Sequence, residues 1–294
     1  MISRRPLLKL LGGSAAALSA QSVFSALTES NYQIGACDWC LKKKQDIAAF
    51  EVAKAIGLEG IQVSFSTPGS EFDLRNRKVR DAYYKRVDET GIQMASLGMG
   101  ILNQRPLASD PEAIGWVSDA VDTMAAMKAE QPDKAPSVCL LAFFGIGDIN
   151  GKPDAMDSVI KKLKTVAKKA EDNGVVLGLE SYLSADDHLQ IIDGVGSKAI
   201  QVYYDSANSA FMGYNIYEEV VQIGGERLCQ IHCKEKKTLL GGGDIDFPKF
   251  AAALKKAGYD DGWLIIEGAL PKGTDLVESY KTNFSVLDKS FRGA

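Results

Sequence analysis

The sequence predicts an α/β fold, a single-domain closed (β/α)8 barrel. Short apolar, β-rich runs alternate with longer amphipathic stretches, and the pair recurs eight times. No Pro-rich or Ser-rich linker and no low-complexity block divides the chain. Eight βα units in roughly 250 residues suit a closed barrel better than an open doubly wound sheet. The first turn also lacks a Gly-x-Gly-x-x-Gly dinucleotide fingerprint.

In chain order the strand runs are Gln33–Ala36, Gly60–Phe65, Gln93–Met99, Ser137–Phe143, Val175–Glu180, Gln201–Asp205, Leu228–Cys233 and Trp263–Glu267. Several are nearly continuous hydrophobics, as strands buried on both faces require. The helices between them are predicted over Asp46–Ile56, Arg77–Glu89, Asp110–Glu130, Ala155–Asn173, Ala185–Asp193, Tyr217–Ile223, Phe247–Ala257 and Thr274–Asp288. Gly57, Gly91, Gly174 and Gly258 follow four of these at or near the C-cap, where a left-handed residue closes a helix. The lysines at 161, 162, 164, 168 and 169 read as a solvated helix face.

Ahead of the barrel, assigned to residues 27–294, lies a segment of another kind. Arg4 and Arg5 precede Lys9 and an apolar, small-residue run from Leu10 to Ala20, in a stretch that stays uncharged to Leu27, the pattern of an export signal. It resembles the twin-arginine signal, which implies engagement of the twin-arginine translocation machinery and a periplasmic or otherwise exported destination. Residues 1–26 are assigned to it, with cleavage expected between Ala17 and Ala26. The run is too short and Gly-rich for a span of about 20 residues, so stable membrane insertion is not expected.

A formal charge of −4 over 294 residues, 24% of them charged, argues against a nucleic-acid-binding surface. A small molecule is the expected ligand, with self-association into a homo-oligomer left open. The five cysteines cannot all pair within one chain. Cys37-Asp38-Trp39-Cys40 has redox-motif spacing but ends a strand run with no helix N-terminus to acidify its first thiol, so packing is the expected role. Cys139 and Cys229 lie in apolar strands and read as core.

Active sites of such barrels form where the strands end. Strand five ends in Glu180, strand six in Asp205, strand seven reaches His232 and strand eight ends in Glu267, each about one βα unit from the next. One polar strand end is usually just solvated; four in succession are a constellation. Three converging carboxylates repel one another unless a divalent cation neutralises them, and an imidazole adds a nitrogen ligand. Such a donor set favours Mn, Mg or Co, with zinc as an alternative. Phe143 and Phe144, at the end of strand four, and Trp39 are expected to offer aromatic faces to a small-molecule ligand. For Trp263, at a strand start, core packing is expected.

These residues, with Asp205-Ser206-Ala207-Asn208, His232-Cys233-Lys234-Glu235 and the Gly241–Phe247 and Gly258–Trp263 segments, resemble the xylose isomerase-like TIM barrel superfamily, in particular its sugar phosphate isomerase/epimerase branch. The likeness spans residues 33–290 and is strongest after Phe143. It implies that Glu180, Asp205, His232 and Glu267 bind one divalent metal, and that Glu180 and Glu267 exchange protons with a sugar or polyol through a metal-stabilised enediolate. Lys234, Asn208 and His188 would contact substrate, His188 being equally readable as an exposed helix residue. Asn208 stands where tagatose-type epimerases often carry His, and Lys236 and Lys237 replace an Arg, which weakens a free-ketose assignment. The resemblance also admits a keto-polyol dehydratase on the same site. Outside catalysis, an exported barrel that only binds sugar is the alternative. The abasic-site endonucleases of this superfold need a histidine-rich trinuclear zinc site, which two histidines cannot supply.

Overall fold

The computed structural model describes residues 31–268 and 270–293. The predicted export signal, residues 1–26, lies outside the described residues, as do residues 27–30 of the predicted barrel segment.

Eight strands form one closed parallel barrel in sequence order: β1 (Asn31–Cys37), β2 (Gly60–Ser64), β3 (Gln93–Met99), β4 (Val138–Phe143), β5 (Val176–Ser181), β6 (Ile200–Asp205), β7 (Leu228–Cys233) and β8 (Asp261–Ile266). Closure is made by β1 and β8, paired in parallel from Asn31↔Asp261 to Ala36↔Ile266. Helices α1 (Ala49–Ile56), α2 (Arg77–Thr90), α3 (Ala113–Glu130), α4 (Pro153–Asn173), α5 (Ala185–Val195), α7 (Ile216–Ile223), α8 (Phe247–Ala257) and α9 (Leu276–Leu287) fill the predicted positions. The four predicted capping glycines all adopt the left-handed conformation. Among the described residues a further helix, the short α6 (Ser206–Phe211), was not predicted; it starts straight from β6 because the Asp205 side chain caps it.

Alternation along each strand divides the core into two layers. One face of the strands packs against the helices, as Ile34, Val63, Leu97, Leu141, Leu179, Val202, Ile231 and Leu264 do. The other fills the barrel interior with a smaller cluster that includes Cys37, Leu140, Ala142, Tyr203 and Ile265. Glycine makes room inside where aromatic rings enter. A Cβ on Gly60 would sit 2.4 Å from the Trp263 ring, and one on Gly98 would sit 3.0 Å from the Trp39 ring. Trp263 is thus packed at the strand-start end, as predicted, and also lines a cavity there with Gln33 and Gln93. Trp39 occupies the opposite end. Cys139 is buried, and Cys229, half-buried, packs with the interior cluster.

On the outside, the lysine-rich face of α4 is solvated at Lys161, Lys164 and Lys168, while Lys162 donates to the Leu107 and Asp110 carbonyls. Among the described residues, no helix is long and apolar enough to cross a membrane. The helix layer carries a charged clamp between α2 and α3. Arg80 grips Glu130 with two N–H donors at 3.0 and 2.7 Å, and Tyr84 donates to the same carboxylate at 2.9 Å. The Arg80 guanidinium outweighs partial burial and holds Glu130 down to about 2.

A carboxyl whose folded pKa is depressed stabilises the fold above its unfolded value and loses that contribution as pH falls towards the folded one. We therefore expect Glu130→Gln to cost about 1.5–3 kcal/mol at neutral pH, the range for a hydrogen bond to a charged group. Thermal melts from pH 5 to pH 2.5 should show a shallower acid decline in the variant, and equal slopes would contradict the clamp.

Candidate active site

Three strands and the residue just past a fourth present polar side chains at the same end of the barrel. Glu180 is next to last in β5, Asp205 is last in β6, His232 is next to last in β7, and Glu267 follows β8 directly. The register puts Asp205 opposite His232, and the Glu267 N–H still donates to the Cys233 carbonyl at 3.2 Å, continuing the ladder. Ile231 and Cys233 pack into the helix-facing layer, so alternation turns His232 inward.

The four groups meet. One donor atom from each lies within 4.8 Å of all the others. His232 Nδ1 is 2.9 Å from Glu180 Oε1, 3.6 Å from Glu267 Oε2 and 3.8 Å from Asp205 Oδ2. Asp205 Oδ1 accepts the Asn208 N–H at 2.7 Å, whereas Oδ2 is buried with no hydrogen-bond partner. Lys234 Nζ reaches Glu267 Oε2 at 2.8 Å and lies 3.7 Å from Asp205 Oδ2.

A chain of amides and hydroxyls fixes the imidazole. Gln230 Nε2 donates to the Ala95 carbonyl at 2.8 Å, which leaves its Oε1 to accept from Tyr203 Oη at 3.0 Å. Gln62 Nε2 donates to Tyr203 Oη at 3.1 Å, so Gln62 Oε1, 2.8 Å from His232 Nε2, is an acceptor. His232 Nε2 must therefore carry a proton, and its Nδ1 lone pair, when the ring is neutral, points at the carboxylates.

Burial raises Asp205 to about 7 and also lifts Glu180. His232 rises to about 9, because the Glu180 and Glu267 charges outweigh its burial. Glu267 is half-buried, and the charges of His232 and Lys234 outweigh its desolvation and hold it down to about 2. An inward lone pair, three crowded carboxylates and an orphaned carboxylate oxygen fit a divalent cation bound by Glu180, Asp205, His232 and Glu267.

Glu180 and Glu267 both line a cavity of about 220 Å³, together with Trp39, Lys44, Phe65, Asn103 and Phe144. Trp39 Nε1 donates to Glu267 Oε1 at 3.1 Å. Asn208 Nδ2 is 3.5 Å from Glu180 Oε1, and Lys234 Nζ is 3.5 Å from Asn208 Oδ1, so both predicted polar contacts border the cluster. Lys236 instead lies over the Phe211 ring, 3.6 Å from its centroid.

Two expectations are corrected. Phe143 does not face the cavity: neighbouring residues of a strand point opposite ways, and Phe143 is buried in the helix-facing core while Phe144 takes the mouth. His188 is neither exposed nor on the cavity lining. It is buried on α5, with Nε2 on Ser181 Oγ and Nδ1 on the Ser184 carbonyl, both at 3.0 Å. Sequence reasoning missed Gln62, Tyr203 and Gln230, whose signal was polar side chains at inward positions of apolar strands. It also missed Lys44, on a loop, Phe65, just past β2, and Asn103, in the 3-10 turn after β3, all in the first half of the chain.

A family model described as xylose isomerase-like TIM barrel matches residues 50–289. The chain is 25% identical over 232 residues to a 2-epi-5-epi-valiolone 7-phosphate 2-epimerase of Actinoplanes sp., covering 76% of this chain and 82% of that protein. It is also 25% identical over 134 residues to the rhizopine catabolism protein MocC of Rhizobium meliloti, covering 36% of this chain and 41% of the other. Among solved structures, a D-psicose 3-epimerase from Clostridium cellulolyticum H10, with D-tagatose, aligns at a TM-score of 0.70 and 16% identity, over 88% of this chain and 99% of that one. The 3-keto-D-glucoside 4-epimerase of E. coli aligns at 0.66 and 15% identity, over 88% of this chain and 100% of that one. At such identities these structures share the fold.

His188 gives a pH test of its place in the structure. Burial lowers its pKa to about 4, so between pH 6.5 and pH 4 the unfolded chain binds a proton that the folded one refuses. Stability should fall across that window by on the order of 3 kcal/mol at most. We expect His188→Gln to flatten this part of the stability–pH curve in urea titrations; an unchanged slope would contradict a buried, neutral ring.

Proposed function

The chain belongs to the xylose isomerase-like TIM barrel family, and from that membership we propose a divalent-metal-dependent isomerase or epimerase acting on a small sugar or polyol. The observation that carries the reading is the meeting of Glu180, Asp205, His232 and Glu267 around the unpartnered Asp205 Oδ2, with both glutamates on the cavity wall. These four residues would hold one manganese, magnesium or cobalt ion, with zinc as the alternative. When bound, that cation supplies a Lewis acid for vicinal substrate oxygens and offsets the negative charge that develops on them.

The chain's own groups do the rest. One of Glu180 and Glu267 takes the proton from the carbon beside the substrate carbonyl, and the electron pair moves onto the carbonyl oxygen. The other returns a proton to the opposite face of that carbon and inverts it; return at the neighbouring carbon gives an isomer. Trp39 and Lys234 each donate to a different oxygen of Glu267, which orients this carboxylate. Asn208 and Lys234, which border the cluster, would meet substrate oxygens, and Phe144 and Trp39, on the cavity wall, would cover its C–H faces.

The epimerase named among the relatives, 25% identical over most of its length, supports inversion or isomerisation over loss of water. In manganese-loaded protein incubated with candidate keto-sugars in D2O, we expect one deuterium at the inverted or isomerised carbon. Glu267→Gln and Glu180→Gln should each lower kcat by about 10²–10⁴-fold. Turnover without deuterium uptake would overturn the proton-transfer reading, and a product short of one water would replace it with a dehydratase.

We also propose that residues 1–26, with Arg4 and Arg5, direct twin-arginine export of the folded barrel. The N-terminus of protein recovered from a bacterial periplasm should lie between Ala17 and Leu27, and Arg4→Lys with Arg5→Lys should retain the full-length chain inside the cell. Export of the double variant would contradict the assignment.

A further inference from the structure

We propose that Cys37, Cys40 and Glu267 form a second cation site beside the first, built for a soft divalent ion such as zinc. The two thiols and the carboxylate each offer a donor atom, and these atoms lie within 4.8 Å of one another. Donors that near one another can close on one ion held about 2.3 Å from sulfur and about 2.0–2.2 Å from oxygen. None of the five cysteines is in a disulfide. Neither the sugar chemistry nor the four-residue cluster assigns the thiols a role.

The local backbone prepares the site. The Cys40 and Leu41 N–H groups both donate to the Cys37 carbonyl at 3.1 Å, folding the chain back on itself just past β1. Two cysteines three residues apart on such a turn give the spacing by which zinc is held by thiolate pairs. The turn is anchored by Asp38, a buried carboxylate that accepts from the Ser64 N–H at 2.7 Å, Ser64 Oγ at 2.6 Å and the Gln45 N–H at 2.9 Å. Trp39 lies against Gly98 and donates to Glu267 Oε1, so the motif's own middle residue ties the third donor to the thiols.

The two sites want different ions. The four-residue cluster offers oxygens and one nitrogen, whereas Cys37 and Cys40 select soft metals. Binding releases one proton from each thiol to solvent, and the two thiolates with Glu267 leave a position open on a tetrahedral ion. Glu267 is common to both donor sets, so a soft ion competes for that carboxylate. The thiolate site stands without the sugar reading; only a loss of turnover when a soft ion draws Glu267 away rests on it.

The test uses the full folded chain, reduced with a phosphine, in excess magnesium and titrated with cobalt(II). A near-ultraviolet sulfur-to-cobalt charge-transfer band should appear within two equivalents, since the four-residue cluster can take cobalt as well. Cys40→Ser should abolish the band, and Asp205→Asn, which removes a donor of the first site alone, should retain it. A wild-type protein without the band, or a band that survives Cys40→Ser, overturns the proposal. A readout without variants is alkylation of the half-buried Cys40, followed by mass spectrometry. Zinc should slow it at least tenfold, and an unchanged rate overturns the site even where Cys40→Ser does not fold.

Discussion

The structure turns on one electrostatic constraint: three carboxylates and an imidazole crowd together at one end of the barrel, all but Glu267 buried. Asp205 and His232 are buried, and Asp205 Oδ2 has no hydrogen-bond partner. A buried, unpartnered carboxylate oxygen is costly. Lys234 and a protonated His232 offset part of the charge, and their pull is visible in Glu267, held far below the ordinary carboxylate range. The divalent cation proposed for this cluster would offset the rest.

The interior of the barrel is shaped around that cluster. Small barrels fill their interior with branched apolar side chains. Here Gln62, Tyr203 and Gln230 cross it instead, joined from the Ala95 carbonyl to His232 Nε2. A buried amide or hydroxyl left unpaired costs about 1–3 kcal/mol, so each member of the chain depends on its neighbours. What the chain secures is a single imidazole tautomer with Nδ1 directed at the carboxylates. The small residues Gly98 and Ala142 leave the space that Trp39 and the cavity occupy.

Much of this was legible in the sequence because closed-barrel topology makes position along the chain a guide to position in space. β3 and β7 occupy the ranges that their apolar runs predict, and Glu180, Asp205, His232 and Glu267 converge as consecutive strand ends must. The misreadings have particular causes. Phe143 and Phe144 are alike in chemistry, and only strand parity separates core from mouth. His188 looked available because its partners, Ser181 at the end of β5 and the Ser184 carbonyl at the N-cap of α5, flank a turn whose path no periodicity encodes. The short α6 escaped because six residues carry too little pattern; its signal was Asp205, a helix cap that is also a site carboxylate. Gln62 and Gln230 read as interruptions in apolar strands, and their partners lie across the barrel, far away in sequence.

The cavity wall supplied by the first half of the chain, with Lys44, Phe65 and Asn103, is where substrate choice would be made on a shared catalytic floor. The most direct test of the central claim is calorimetric titration of metal-stripped protein with manganese. The account predicts one tight site per chain that raises the melting temperature and is weakened at least a hundredfold by Asp205→Asn. Absence of manganese binding, or equal affinity in that variant, would contradict it.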